Sequence, residues 1–133
     1  MTKSITGAVA QIQTLAGALE GMRAAPSQPP EQLNVFPFAL SYIGQCEVVK
    51  PSATLTIHIY TIVTEIHVAR KDLPRDVAKL DSYPTLFPDA VWEDPTLDGA
   101  VDTVMSCQGN ITPMVYGGIE TLAWAFQTRV KIT

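Results

Sequence analysis

Only two cysteines, Cys46 and Cys107, occur in the 133 residues. That number excludes the cysteine-based zinc frameworks and any multi-disulfide scaffold. The opening stretch, MTKSITGAVAQIQTLAGALEGM, does not read as a signal peptide, because Gln11, Gln13 and Thr14 interrupt its apolar run. With no pointer to an oxidising compartment, two buried free thiols are expected rather than a disulfide. Charge is also scarce. Charged residues make up 17% of the chain, against about 25% in ordinary soluble domains, so the chain either packs its surface away or shares it with neighbours. Basic residues are few and scattered. Their densest group, Arg70, Lys71 and Arg75, lies beside Asp72 and Asp76 and reads as a solvated loop. A net charge of −4 without a Lys/Arg cluster argues against gripping nucleic-acid phosphates by counterion release. No apolar run reaches about 18 residues, so no membrane span is expected. No internal repeat is visible.

What is present reads as one domain over residues 1–133. Residues 4–23 predict an amphipathic helix, with Ile5, Val9, Ile12, Leu15, Ala16, Leu19 and Met22 on one stripe and Ser4 as N-cap. Gly7, Gly17 and Gly21 weaken it by about 1 kcal/mol each relative to alanine, so it must lean on a neighbour. Prolines from Pro26 to Pro30 force an extended connection over 24–34. A strand is expected over Phe36–Val49, starting at a sheet edge by Pro37, with a bulge or close approach at Gly44 and a turn at Pro51–Ser52.

Residues 53–69, ATLTIHIYTIVTEIHVA, are the strongest strand. Leu55, Ile57 and Ile59 alternate on odd positions, whereas Ile62, Ile66 and Val68 take even ones. That phase switch predicts a bulge or bend near Tyr60–Val63. At about 3.3 Å per residue the stretch would span roughly 55 Å, so it either bends or projects as an arm. Residues 72–99 predict one or two short helices. The first follows Asp72 and Pro74 with Val77, Leu80 and Tyr83 at helical spacing; the second holds Tyr83 to Trp92. A strand from Val101 to Thr112, broken at Gly109–Asn110, and a closing strand after the Gly117–Gly118 turn complete the chain. The closing strand puts Leu122, Trp124, Phe126, Val130 and Ile132 on one face, to pack under the N-terminal helix. Thr121, Gln127, Arg129 and Lys131 lie on the other, with Ala123 and Ala125 between. The class is therefore α+β: a mixed, largely antiparallel sheet packed by an N-terminal helix, with short helices inserted between the strand pairs.

Chemistry is harder to find. His58 and His67 lie on one strand without a metal-ligand cluster and read as half-buried or interface residues that can titrate near neutral pH. Asp89, Glu93, Asp94 and Asp98 lack the alternating spacing of a calcium loop and suit caps and turns. YGG at 116–118 has no phosphate-loop context, and no nucleophile elbow occurs. No residue is assigned a catalytic, cofactor-binding or metal-binding role, and the chain is not expected to be an enzyme. A ligand-binding domain remains the alternative, with a pocket around His58, Tyr60 and Trp124.

FPDAVWEDPTLDGAVDT (87–103) and the closing YGGIETLAWAF (116–126), in the order helix, proline-rich loop, long strand, helical insert and two strands, resemble the tail terminator proteins of long-tailed bacteriophages, also described as minor tail or tail completion proteins. The likeness spans most of the chain in pattern and is sharpest in its last third. It implies a homohexameric ring on the head-proximal end of the virion tail, assembled in the host cytoplasm. Such a ring stops growth of the tail tube protein and meets the head–tail connector or stopper protein. Genome DNA crosses its lumen without sequence-specific binding, and no membrane or cofactor is involved. Stopper and tail tube proteins are of similar size, also form rings, and stay as alternatives.

Overall fold

A computed structural model describes residues 3–26, 35–69, 78 and 80–133. Among the described residues, two helices, α1 (Ile5–Gly17) and α2 (Tyr83–Trp92), accompany four strands: β1 (Phe38–Ser52), β2 (Leu55–Ala69), β3 (Thr103–Tyr116) and β4 (Ile119–Ile132). The strands form a single sheet in the order β1-β2-β4-β3, and every strand pair is antiparallel. The one parallel element is an isolated bridge between Ala24 and Phe38, which covers the outer edge of β1 at its start. This is the expected α+β architecture.

Helix α1 starts as its sequence dictates, with the Ser4 hydroxyl accepting from the Gly7 amide at 3.2 Å. It ends at Gly17, short of the expected end at Arg23. Gly21 adopts a left-handed φ of 83°, which only glycine takes at little cost, so Leu19 and Met22 pack from the following turn. The buried stripe is Ala8, Ile12, Gln13 and Ala16, so small side chains rather than the large ones hold the centre of the contact. Gln13 pins the helix to β1 by donating to the Ala39 carbonyl at 2.7 Å and to the Pro26 carbonyl at 2.9 Å.

Helix α2 matches its predicted bounds, with Pro84 in its first turn and Pro88 inside it. The first helix of the insert, expected after Asp72, lies outside the described residues except at its end, where Leu80 is fully buried. The proline-rich connection beyond Pro26 and the Arg70–Asp76 charge group are likewise outside them.

Helix α1 covers β1 and β2, while α2 covers the β3 side of the sheet. The closing strand therefore packs under α2 and not, as expected, under the N-terminal helix: the rings of Phe87 and Phe126 lie 4.8 Å apart. Trp124 stacks on Phe126 at 5.5 Å and its indole N–H donates to the Leu80 carbonyl at 2.8 Å. Gly109 does not break β3. A Cβ there would lie 2.6 Å from Phe126 Cδ1, so the glycine makes room for the ring across the ladder.

The phase switch in β2 also has a different cause from the predicted one. β2 and β4 pair without a register shift from His58↔Ile132 to Ala69↔Thr121. The extra residue is Gly44 on β1, between Ile43 and Gln45, which face Ile62 and Thr61. The even set of β2 faces the helices throughout, and Ile57 and Ile59 belong to the opposite face. The apolar pattern changes sides because the strand leaves the core. The turn between β1 and β2 falls at Ala53–Thr54, with Ser52 opposite Leu55, so Pro51 stays within β1. It is tolerated because β1 is an edge strand, where a missing N–H can face outward.

Candidate interaction surfaces and a buried histidine

On the sheet face away from the helices, the Glu65-x-His67 spacing of β2 puts both side chains on one side. His67 is 1% exposed. Its Nε2 lies 2.8 Å from Glu65 Oε1 and its Nδ1 lies 2.7 Å from the Thr121 hydroxyl. The carboxylate can only accept, so Nε2 donates to it, and in the neutral ring Nδ1 accepts from Thr121. The Tyr42 hydroxyl donates to the second Glu65 oxygen. The hydrogen bond from His67 holds the Glu65 carboxyl below its usual range, with that from Tyr42 adding to it. Burial and the same carboxylate push the Tyr42 phenol up to about 12. Phe38 stacks on His67 at 4.6 Å, and Tyr116 leans over both at 5.4 and 5.8 Å. Ala123 sits opposite His67 in register, and its small side chain leaves room for the rings.

This assembly is closed. A nucleophile or acid–base group must reach its substrate, and His67 is walled in by aromatic rings with both nitrogens occupied. The network fixes the outer face of the sheet. Its sequence signal is the Glu-x-His spacing on a strand, which is not a metal-ligand pattern.

The two histidines face opposite sides of β2, since no bulge intervenes against β4. His58 stacks on Tyr60 at 6.0 Å on the helix-facing side. Trp124 pairs opposite Ile66, whereas Tyr60 pairs opposite Val130. At about 3.3 Å per residue the two rings' backbones are roughly 20 Å apart along the sheet. The three residues of the supposed ligand pocket therefore do not converge.

The acidic turn works as a tether. Asp94 Oδ1 accepts from the Asp98 amide at 3.0 Å, and its Oδ2 accepts from Gln11 on α1 at 2.9 Å. Leu97, Asp98 and Gly99 take successive left-handed φ values of 48°, 57° and 80°, which tightens the turn and buries Leu97 completely. Among the described residues no group of three or more His, Cys, Asp or Glu side chains is placed to hold a metal, and no helix is long and apolar enough to cross a membrane. Both cysteines are free. Cys107 is partly buried, and burial raises its thiol pKa. Cys46 is exposed on the bulged edge strand, contrary to the expected burial.

The larger open features lie at opposite corners of the sheet. Beyond the last β2–β4 pair, His58↔Ile132, strands β1 and β2 continue alone as a two-stranded arm to the Ala53–Thr54 turn. Val48 there is 57% exposed, and Val49 and Leu55 are also open. At the other end, β3 and β4 run past Ala69↔Thr121 to the Gly117–Gly118 turn. Val115 at that tip is 69% exposed, and Ile111 is open on the same face. Pro113, Met114, Val115 and Glu120 line a shallow groove there. Set against protein-family models and curated proteins, the chain matches none.

Proposed function

We propose that this chain is a ring-forming structural protein of a bacteriophage tail, a tail terminator that caps the tail tube and meets the head connector. The observation that carries the reading is the offset of the two hairpins. Each overruns the shared sheet at the opposite corner, and each holds apolar side chains in the open. Isolated exposed apolar residues are ordinary, but two such groups at opposite ends suit a heterologous, head-to-tail contact, the kind that closes into rings. The His67 imidazole, buried under aromatic rings with both nitrogens hydrogen-bonded, is in keeping with a role of shape rather than catalysis. The likeness of FPDAVWEDPTLDGAVDT and YGGIETLAWAF to tail terminators selects this ring among others.

Native mass spectrometry of the chain, alone and with the tail tube protein of the same phage, tests the ring. A hexamer is expected in one or both samples, and a strict monomer in both overturns the proposal. Electron microscopy of particles lacking the protein tests the role. Overlong tails are expected. Tails of normal length below leaking heads would instead assign the chain to the stopper ring.

A further inference from the structure

The two corners of the sheet are complementary in charge as well as in shape. At the arm end, among the described residues, Lys3, Lys50, Arg129 and Lys131 lie near Glu47 and Asp102, in a chain whose net charge is −4. Lys3 pairs with Asp102, and Arg129 reaches Glu47 at 4.0 Å across β2. Lys50, exposed near the arm's turn, makes no ion pair among the described residues. At the tip end, Glu120 is exposed, lines the groove with Pro113, Met114 and Val115, and is likewise without an ion pair there. Among the described residues, each corner thus offers an apolar group with unpaired charge of opposite sign: Lys50 and Lys131 at the arm end, Glu120 at the tip. Because β4 runs antiparallel to β2, the two hairpin turns point in opposite directions from opposite edges of the sheet. One copy cannot satisfy its own arm with its own tip, but a second copy placed head to tail can.

We propose that the β1–β2 arm of one copy docks on the β3–β4 tip of the next. Val48 meets Val115 and Pro113, and Lys50, two residues on, pairs with Glu120. The contact is heterologous, so each copy uses both corners and the chain of contacts closes into a ring. This rests on the ring reading above and names the surfaces that build it.

The test is a charge exchange read by sedimentation velocity and native mass spectrometry over a concentration series. All substituted positions are exposed, and circular dichroism confirms that each variant is folded. Lys50→Glu and Glu120→Lys are each expected to weaken self-association about fivefold per contact at low salt, and the Lys50→Glu/Glu120→Lys double variant to return to within about twofold of wild type. Val115→Asp is expected to weaken it by about tenfold or more at any salt, since it places a charge among apolar groups. Single variants that assemble like wild type, or a double variant no better than the singles, overturn this docking while leaving the ring itself standing. A wild-type chain that stays monomeric throughout, with tail tube protein present, overturns the ring and the docking together.

Discussion

His67 contributes chiefly through what its removal would strand. With the imidazole gone, Glu65 and the Thr121 hydroxyl each lose a partner, and Phe38 and Tyr116 lose the ring between them. His67→Ala should therefore cost about 3 kcal/mol in urea denaturation at pH 7, a sum of unsatisfied polar groups and a cavity. The acid limb of stability should carry the mark of Glu65. Its folded pKa is lowered, first by the hydrogen bond from His67. The unfolded carboxyl ionises near about 4.3. The contribution is thus whole above that value and is lost as pH falls through the lower folded value. Wild-type stability should drop more steeply below about pH 4.3 than that of Glu65→Gln, and equal slopes would remove Glu65 from the account. Tyr42 offers an independent reading of the same carboxylate. Its phenol is raised to about 12, so in an ultraviolet titration Tyr42 should be among the late-ionising tyrosines, with Tyr83 and Tyr116 also raised by burial. Tyr42→Phe should remove one of these late ionisations.

The contact of α2 with β4 passes through one aromatic pair, and Gly109 on β3 is what admits it. A methyl group at Gly109 would sit 2.6 Å from the Phe126 ring, which itself lies 4.8 Å from Phe87. Gly109→Ala should cost about 1–3 kcal/mol by overpacking. Phe126→Leu in the same chain should return part of that loss, because the two changes share one space; strictly additive losses would show that the methyl and the ring do not meet. The glycine also marks how far elements can be read from the chain alone. β-Branched runs, the Ser4 cap and the Tyr83–Trp92 helix were legible because each is a local preference. The break expected at Gly109 was not there, since the glycine answers a ring directly opposite it on the next strand. The bulge at Gly44 was legible from the glycine itself, whereas the one expected in β2 is absent, because the apolar pattern of β2 changes sides where the strand leaves the core. The exchange of α1 for α2 above β4 was illegible because an apolar face does not say which helix covers it. The His67 network was half legible, as a Glu-x-His spacing whose partners Tyr42 and Thr121 come from neighbouring strands.

At the scale of the molecule, folding and the proposed assembly draw on different residues, so they can be separated. The buried cluster runs from Ala8, Ile12 and Ala16 of α1 through Ile62 and Ile66 of β2 to Phe87 and Phe126. The arm beyond His58↔Ile132 adds none of its exposed residues to it. A shortened chain in which Lys50–Thr56 is replaced by Asn-Gly keeps Val49 opposite Ile57, the pair it already forms, and closes the hairpin with a two-residue turn suited to strand twist. Thermal unfolding of this chain should stay within about 1 kcal/mol of wild type, since surface changes away from core, caps and buried polar groups usually have small effects. Its self-association should nevertheless fall to about the level of the Lys50→Glu variant, because the arm's charge at Lys50 is gone with Leu55, while Val48 and Val49 remain. Sedimentation velocity and calorimetry on one preparation read both quantities. A shortened chain that unfolds much earlier would make the arm part of the fold, whereas one that assembles like wild type would leave the arm with no part in the ring.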